Sequence, residues 1–395
     1  MTKVASQDQI AQQLGFLPIL VLAVSAGVAT ATSYTLQPEI RQVAEDLGAA
    51  MGAVGVATGL PVAGYMIGLA LLVPLVDRFA ARRLVSMQLF VLGLLLAAAS
   101  LAPDVILLGA ALFLSGVCAS TGAQMSTLAG KHSSAGGRGR ALGAVTAGIS
   151  AGVLLGRFVG GGLSDLVGWR LMLTIVACAC FTCAAVCAVV LPDERPPSGT
   201  TYLARLASMP GLLVTYAGLR IPALAGSLWF FAFSLIWTGL SLALALPPMS
   251  LTPTVIGLYS LAGVAGVVAT RLAGRLADRF GSRPVVLAGL LLALLCTAML
   301  APTLTIAPLT LVALALFDTG LFAAQVANQR AVLDISPREP ARFNSVYMVV
   351  YFVGGSLGTI AAGPLVSSFG WSAVVLVAAT ALLFAGGLYL RARPS

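Results

Sequence analysis

Asp318 and Arg157 each stand inside a long apolar run. A charge so placed has few uses: to carry a proton, to hold a counter-charge, or to meet a charged ligand. Counted from Pro308, Asp318 is ten residues, or roughly 15 Å, into a hydrocarbon core of about 30 Å. Placing an aspartate there costs about 2.5–3.5 kcal/mol, so it must face a cavity or a partner. That makes Asp318 the candidate for picking up and releasing a proton, with a structural hydrogen bond as the competing use. Arg157 lies about 16 residues, or about 24 Å, from the start of its own run, which sets it roughly 9 Å away from Asp318 in depth. It either snorkels to the nearer interface or supplies a counter-charge to Asp318 or to an anionic ligand.

The elements that must carry these residues follow from composition. With 59% hydrophobic and 9% charged residues the chain is far outside the range of soluble domains, so it is an integral membrane protein. Stretches of about 20 apolar residues occur at about 16–36, 50–73, 84–102, 105–126, 141–163, 168–191, 222–246, 253–274, 284–302, 305–326, 343–366 and 371–390. Twelve helical spans are expected, in an N-terminal half (1–191) and a C-terminal half (221–395) joined by a charged, proline-containing linker (192–220). With both termini cytoplasmic, 19 of the 22 basic residues fall on the inner side, which is the distribution that orients a membrane protein. The net charge of +9 thus reports topology and excludes nucleic acid as a partner.

Other chemistries find little support. Cys178, Cys180, Cys183 and Cys187 scatter around one helix rather than sharing a face, so they read as packing residues and no metal site is expected. The single histidine, His132, falls in a loop, and no serine–histidine–carboxylate set is present, which disfavours a membrane-bound enzyme. No G-x-x-x-x-G-K-[ST] sequence occurs, so ATP is not the direct energy source and no cofactor is expected.

The chain also repeats itself. Val73-Pro74-Leu75-Val76-Asp77-Arg78-Phe79-Ala80-Ala81-Arg82 returns 201 residues later as Gly274-Arg275-Leu276-Ala277-Asp278-Arg279-Phe280-Gly281-Ser282-Arg283. Further on, Arg140, Gly152, Gly156, Gly161, Gly168 and Trp169 reappear at an offset of 202. Two equal apolar halves are the mark of a duplicated membrane transporter with its site between them.

The Gly274–Arg283 loop resembles the signature of the major facilitator superfamily, with Gly274, Asp278, Arg279, Gly281 and Arg283 at its positions and an eroded copy at Val73 to Arg83. Gly152-x-x-x-Gly156-Arg157-x-x-Gly160-Gly161 resembles the antiporter motif of that family's exporters, with arginine in place of proline. The resemblance implies an all-α fold of two six-helix bundles, a cytoplasmic gate at Asp77, Arg78 and Arg82, and a cavity lined by spans one, four, seven and ten. Tyr34, Thr121, Gln124, Trp229, Ser234, Trp237 and Gln325 become cavity candidates, although the tryptophans could instead be interfacial anchors, and Asn328 and Gln329 could be merely solvated. The expectation is proton-coupled efflux of a small organic compound by a monomer in a bacterial cytoplasmic membrane, with uptake of a metabolite as the alternative.

Overall fold

The computed structural model describes residues 15–133, 137–193, 211–336 and 340–391. Regular structure among them is helical throughout, as hydrocarbon demands of a backbone that must satisfy its own hydrogen bonds. Ten helices are long and apolar enough to cross a membrane, and the last, Arg342–Arg391, turns at Gly370 to give spans eleven and twelve. Gly370 sits at φ 75°, where a side chain would be strained. The shorter helix Phe16–Ala31 is span one. Spans two to ten are Met51–Leu71, Ala81–Ser100, Val105–Lys131, Arg138–Val167, Trp169–Val190, Ala217–Ala245, Pro253–Phe280, Ser282–Thr303 and Ala307–Leu333. All twelve expected spans are present.

Twelve crossings bring both described chain ends and the 193–211 connection to one face, termed here the linker face, opposite a far face. Most of the linker, 194–210, lies outside the described residues. At the far face, span one leads through turns at 32–36 into the 3₁₀ turn Gln37–Glu39 and the short helix Ile40–Leu47.

The duplication is visible in the packing. Span one packs on five, two on four and three on six; span seven on eleven, eight on ten and nine on twelve repeat the scheme. Small residues set these distances. Gly152, Gly156 and Gly160 face Gly27, Ala31 and Thr35 of span one and the turn after it, and a Cβ on Gly156 would stand 2.8 Å from the Ala31 carbonyl oxygen. Gly354 and Gly358 repeat this against Ser227 and Phe231 of span seven.

The two loop copies differ in backbone. Span eight runs on to Phe280 and turns at Gly281 with φ 86°, whereas span two stops at Leu71 and Val73–Asp77 forms a 3₁₀ turn. Ala80 replaces the turn glycine and Pro74 removes a backbone donor, so the first copy cannot take the shape of the second.

The halves are drawn together at the far face. Span five meets span eight, where Gly161 faces Pro253 and Gly257 faces the Arg157 carbonyl. Span two meets span eleven, where Gly59 faces Thr359 and the Thr359 hydroxyl donates to the Gly59 carbonyl at 3.3 Å. Ser260 donates to the Leu154 carbonyl at 2.9 Å, and the Thr254 amide and hydroxyl both donate to Asp165.

Candidate functional site

Span five is longer than its apolar stretch, and this corrects the depth expected for Arg157. The helix continues to Val167, so Arg157 is ten residues, or about 15 Å, from its far end. Asp318 lies eleven residues, or about 16 Å, from Ala307, at the far end of span ten. The two charges therefore share one level near mid-membrane. Sequence placed them at different depths because polar residues such as Ser164 and Asp165 end the hydrophobic run without ending the helix.

Arg157 does not snorkel. It is 4% exposed, its Nε donates to Gln37 Oε1 at 2.8 Å, and Nη1 makes a longer bond to the Val153 carbonyl. Its guanidinium carbon stands 4.5 Å from the centre of the Tyr34 ring and 5.1 Å from that of Trp237. A desolvated cation between two aromatic faces gains about 2 kcal/mol from such a contact. Trp237 belongs to the other half, and its indole N–H donates to Asp318 Oδ1 at 3.1 Å. Asp318, 1% exposed, is seated in space left by Gly263 and Gly266 of span eight; a Cβ on either would come within 3.0 Å of it.

Tyr34, Arg157, Trp237 and Asp318 thus form one interlocked unit across the interface. Trp237 joins the two residues: its face takes the arginine of one half and its edge gives a hydrogen bond to the carboxyl group of its own half. It is a buried bridge rather than an interfacial anchor.

A second cluster lies on spans seven, ten and eleven. Phe230 stacks on Tyr351 at 4.0 Å with the rings 8° apart, Trp229 meets Tyr351 edge-on at 4.9 Å, and Tyr65 of the first half approaches Phe352 at 4.9 Å. Trp229 Nε1 is buried without a hydrogen-bond partner, and Ser234 is buried further along the same helix. The Tyr347 hydroxyl donates to Gln325 at 2.8 Å. Asn328 is not solvated: its amide donates to the Pro222 carbonyl and to Tyr347, and it accepts from Tyr389. Gln329 donates to Asn344 at 2.9 Å.

Thr121 and Gln124 are engaged elsewhere. Thr121 donates to Gln124, and Gln124 donates to the Leu72 carbonyl at 2.7 Å, fastening the break in span four to the end of span two. Among the gate-loop residues, Arg78 and Arg279 are exposed, Arg82 and Arg283 are half-buried, and Asp278 pairs with Arg330 at the end of span ten in the same half. The side chain of Asp77 lies outside the described residues.

Sequence reasoning passed over Gln37, which holds Arg157, and Glu39, which is fully buried at the far-face interface. Both stand in a polar connection that reads as solvated, and packing against elements of both halves buries them. The available signal was weak: Glu39 is the one acid in residues 34–44, with Arg41 taken by Glu45 a turn later.

Comparison with known proteins bears on the whole chain. The family model described as Major Facilitator Superfamily matches residues 20–250 and 223–395. The chain is 32% identical over 367 residues to the uncharacterized transporter YgaY of Escherichia coli O157:H7, covering 92% of this chain and 93% of that one. It is also 32% identical to the probable transporter SCO4007 of Streptomyces coelicolor, over 92% and 84% of the two chains. In fold it resembles a bacterial homologue of the human lysosomal transporter Spinster in an inward-facing, unoccupied conformation, with a TM-score of 0.77 at 15% identity and coverage of 96% and 98%. The nucleoside transporter NupG (D323A mutant) gives a TM-score of 0.75 at 14% identity, with coverage of 95% and 98%.

Proposed function

Because this chain belongs to the major facilitator superfamily and is a multi-pass membrane transporter rather than an enzyme, we propose that it exports a small organic compound in exchange for protons. The observation that carries this reading is the Arg157–Trp237–Asp318 bridge. A proton on Asp318 removes the negative charge that Trp237 binds, and a hydrogen bond to a charged group contributes about 1.5–3 kcal/mol, more than one to a neutral group. Loosening that bond frees the indole that holds Arg157 of the opposite half. Protonation of one residue is thereby tied to the fit between the halves, which is what coupling by alternating access requires.

The cluster of Trp229, Phe230, Tyr351 and Phe352, with a free indole donor and few other polar groups, suits an amphipathic compound carrying a flat ring and a hydrogen-bond acceptor. The linker face is read as the cytoplasmic one because, with both termini inside, 19 of the 22 basic residues of the sequence fall on the inner side. The glycine stripe of span five, in the pattern associated with exporters, favours outward movement. Cells expressing the protein are expected to hold less of its substrate than cells with an empty vector, measured by intracellular metabolite profiling and by survival against a panel of toxic aromatic compounds. Greater accumulation on expression would establish uptake instead.

A further inference from the structure

The far-face gate contains an acid that the bridge at mid-membrane does not use. Glu39 is 0% exposed and neither carboxyl oxygen has a hydrogen-bond partner. It stands on the 3₁₀ turn Gln37–Glu39, packed against span five, span two and the far-face helix of its own half and against spans seven and eight of the other, so elements of both halves enclose it at the gate. An ionised carboxylate stripped of water and of donors is among the most costly groups to enclose, whereas a neutral carboxylic acid is not.

Its neighbours sharpen the point. Asp165, at the end of span five, accepts from both the amide and the hydroxyl of Thr254, a clasp between the halves. Gln42 of the far-face helix also reaches Asp165, at 3.5 Å, and accepts from Ser164 at 2.8 Å. Ser164 stands close enough to temper the effect of burial on Glu39, but its hydroxyl proton is given to Gln42. Of the arginines on the adjoining elements, Arg157 is held on Gln37 between two rings, Arg41 pairs with Glu45 and Arg170 with Asp46. Span eight adds Tyr259, and spans two and seven bring no titratable side chain to this end.

We propose that Glu39 is a second proton-binding site of the transport cycle: closing the far-face gate loads a proton onto Glu39, and opening the gate releases it to the same side. Were Glu39 to ionise in the closed gate, its charge would stand unpaired beside Asp165 and oppose the Asp165–Thr254 clasp. Burial pushes the Glu39 carboxyl up to about 9 in the closed gate, with Ser164 opposing the rise and Asp165 adding to it. In an open gate it returns to water and to about 4.3. The closed form therefore holds more protons, so it is favoured in acid, and its advantage falls as pH rises from the open-gate value through the closed-gate one. Across that window the ratio of closed to open gates drops by up to about tenfold per pH unit. With the far face outward, as proposed above, an acid exterior would bias the transporter toward the cytoplasm-facing form.

The test reads the gate and not transport. Nitroxides at Leu101→Cys and Ile306→Cys, in a chain freed of its six native cysteines and held in nanodiscs, report the separation of the halves at the far face by pulsed electron resonance. The wild type is expected to gain a long-distance population between pH 5 and pH 9. E39Q, which fixes the neutral form, and E39A, which removes the acid, should lose this gain; any dependence left is the opposite one carried by Asp318, whose protonation loosens the bridge between the halves in acid. A wild-type distance that ignores pH, or variants that titrate as the wild type does, would overturn the assignment. D318N separates this site from the coupling residue: it should retain the pH response, and its loss in D318N with persistence in E39Q would move the response to Asp318, leaving the coupling reading intact.

Discussion

The substitution Asp318→Asn is expected to reduce gradient-driven transport to the level seen without a gradient, while substrate exchange across the membrane continues. The two effects separate because the substitution keeps what Asp318 does structurally: an amide oxygen still accepts from Trp237, and the space beside Gly263 and Gly266 still fits a side chain of the same size. What is lost is the ability to gain and lose a proton. In proteoliposomes loaded with a compound identified by the accumulation test, the variant should bind and exchange it yet fail to concentrate it under an imposed pH gradient. Driven accumulation at the wild-type rate would remove Asp318 from the coupling mechanism. A stable fold is expected, because asparagine keeps the volume and the acceptor for Trp237, and Arg157 keeps its bond to Gln37 and its two ring faces.

A branched side chain at Gly257 should be as damaging, for a mechanical reason. A Cβ there would stand 2.6 Å from the Arg157 carbonyl oxygen and 3.1 Å from the Phe158 Cα, both backbone atoms of the opposite half that cannot move aside. Gly257→Val therefore forces spans five and eight apart where the far gate closes, and overpacking of this kind costs about 1–3 kcal/mol. As a population shift that is roughly a 5- to 150-fold loss of the closed form. Transport in whole cells is expected to fall to the empty-vector level with normal amounts of protein in the membrane, since the clash is between the halves and not within one. Gly143→Ala, in span five where a Cβ meets nothing within 4 Å, serves as the neutral comparison. Normal transport by Gly257→Val would mean that the far-face contact plays no part in the cycle.

Much of the scaffold was legible because hydrocarbon makes strict demands. Uninterrupted apolar stretches of the right length can only be helices, and the repeat of Asp77 and Arg78 as Asp278 and Arg279 announced two halves. Asp318 was legible on the same grounds, since its depth follows from counting. What escaped were properties that arise between elements. Span five outruns its apolar stretch, so Arg157 looked too far from Asp318, and nothing local indicated that an indole from span seven would join them. Gly161 belongs to the same glycine series as Gly156 and Gly160, yet it faces Pro253 of the other half while they face span one and the turn that follows it. Thr121 and Gln124 have the polarity expected of a cavity wall but spend it on Leu72 and on each other. Glu39 is the extreme case, a loop acid enclosed by elements of both halves at once.

In the proposed cycle, proton and substrate move in opposite directions and Asp318 is the gating residue. Everted membrane vesicles test it most directly: their lumen is acidified by respiration, the pH is followed with a quenched acridine dye, and the exported compound is then added outside. The wild type is expected to release protons as the compound moves into the lumen, seen as recovery of fluorescence, and Asp318→Asn is expected to give no recovery. Movement of the compound into the lumen without proton release in the wild type, or protons moving inward along with it, would contradict the account.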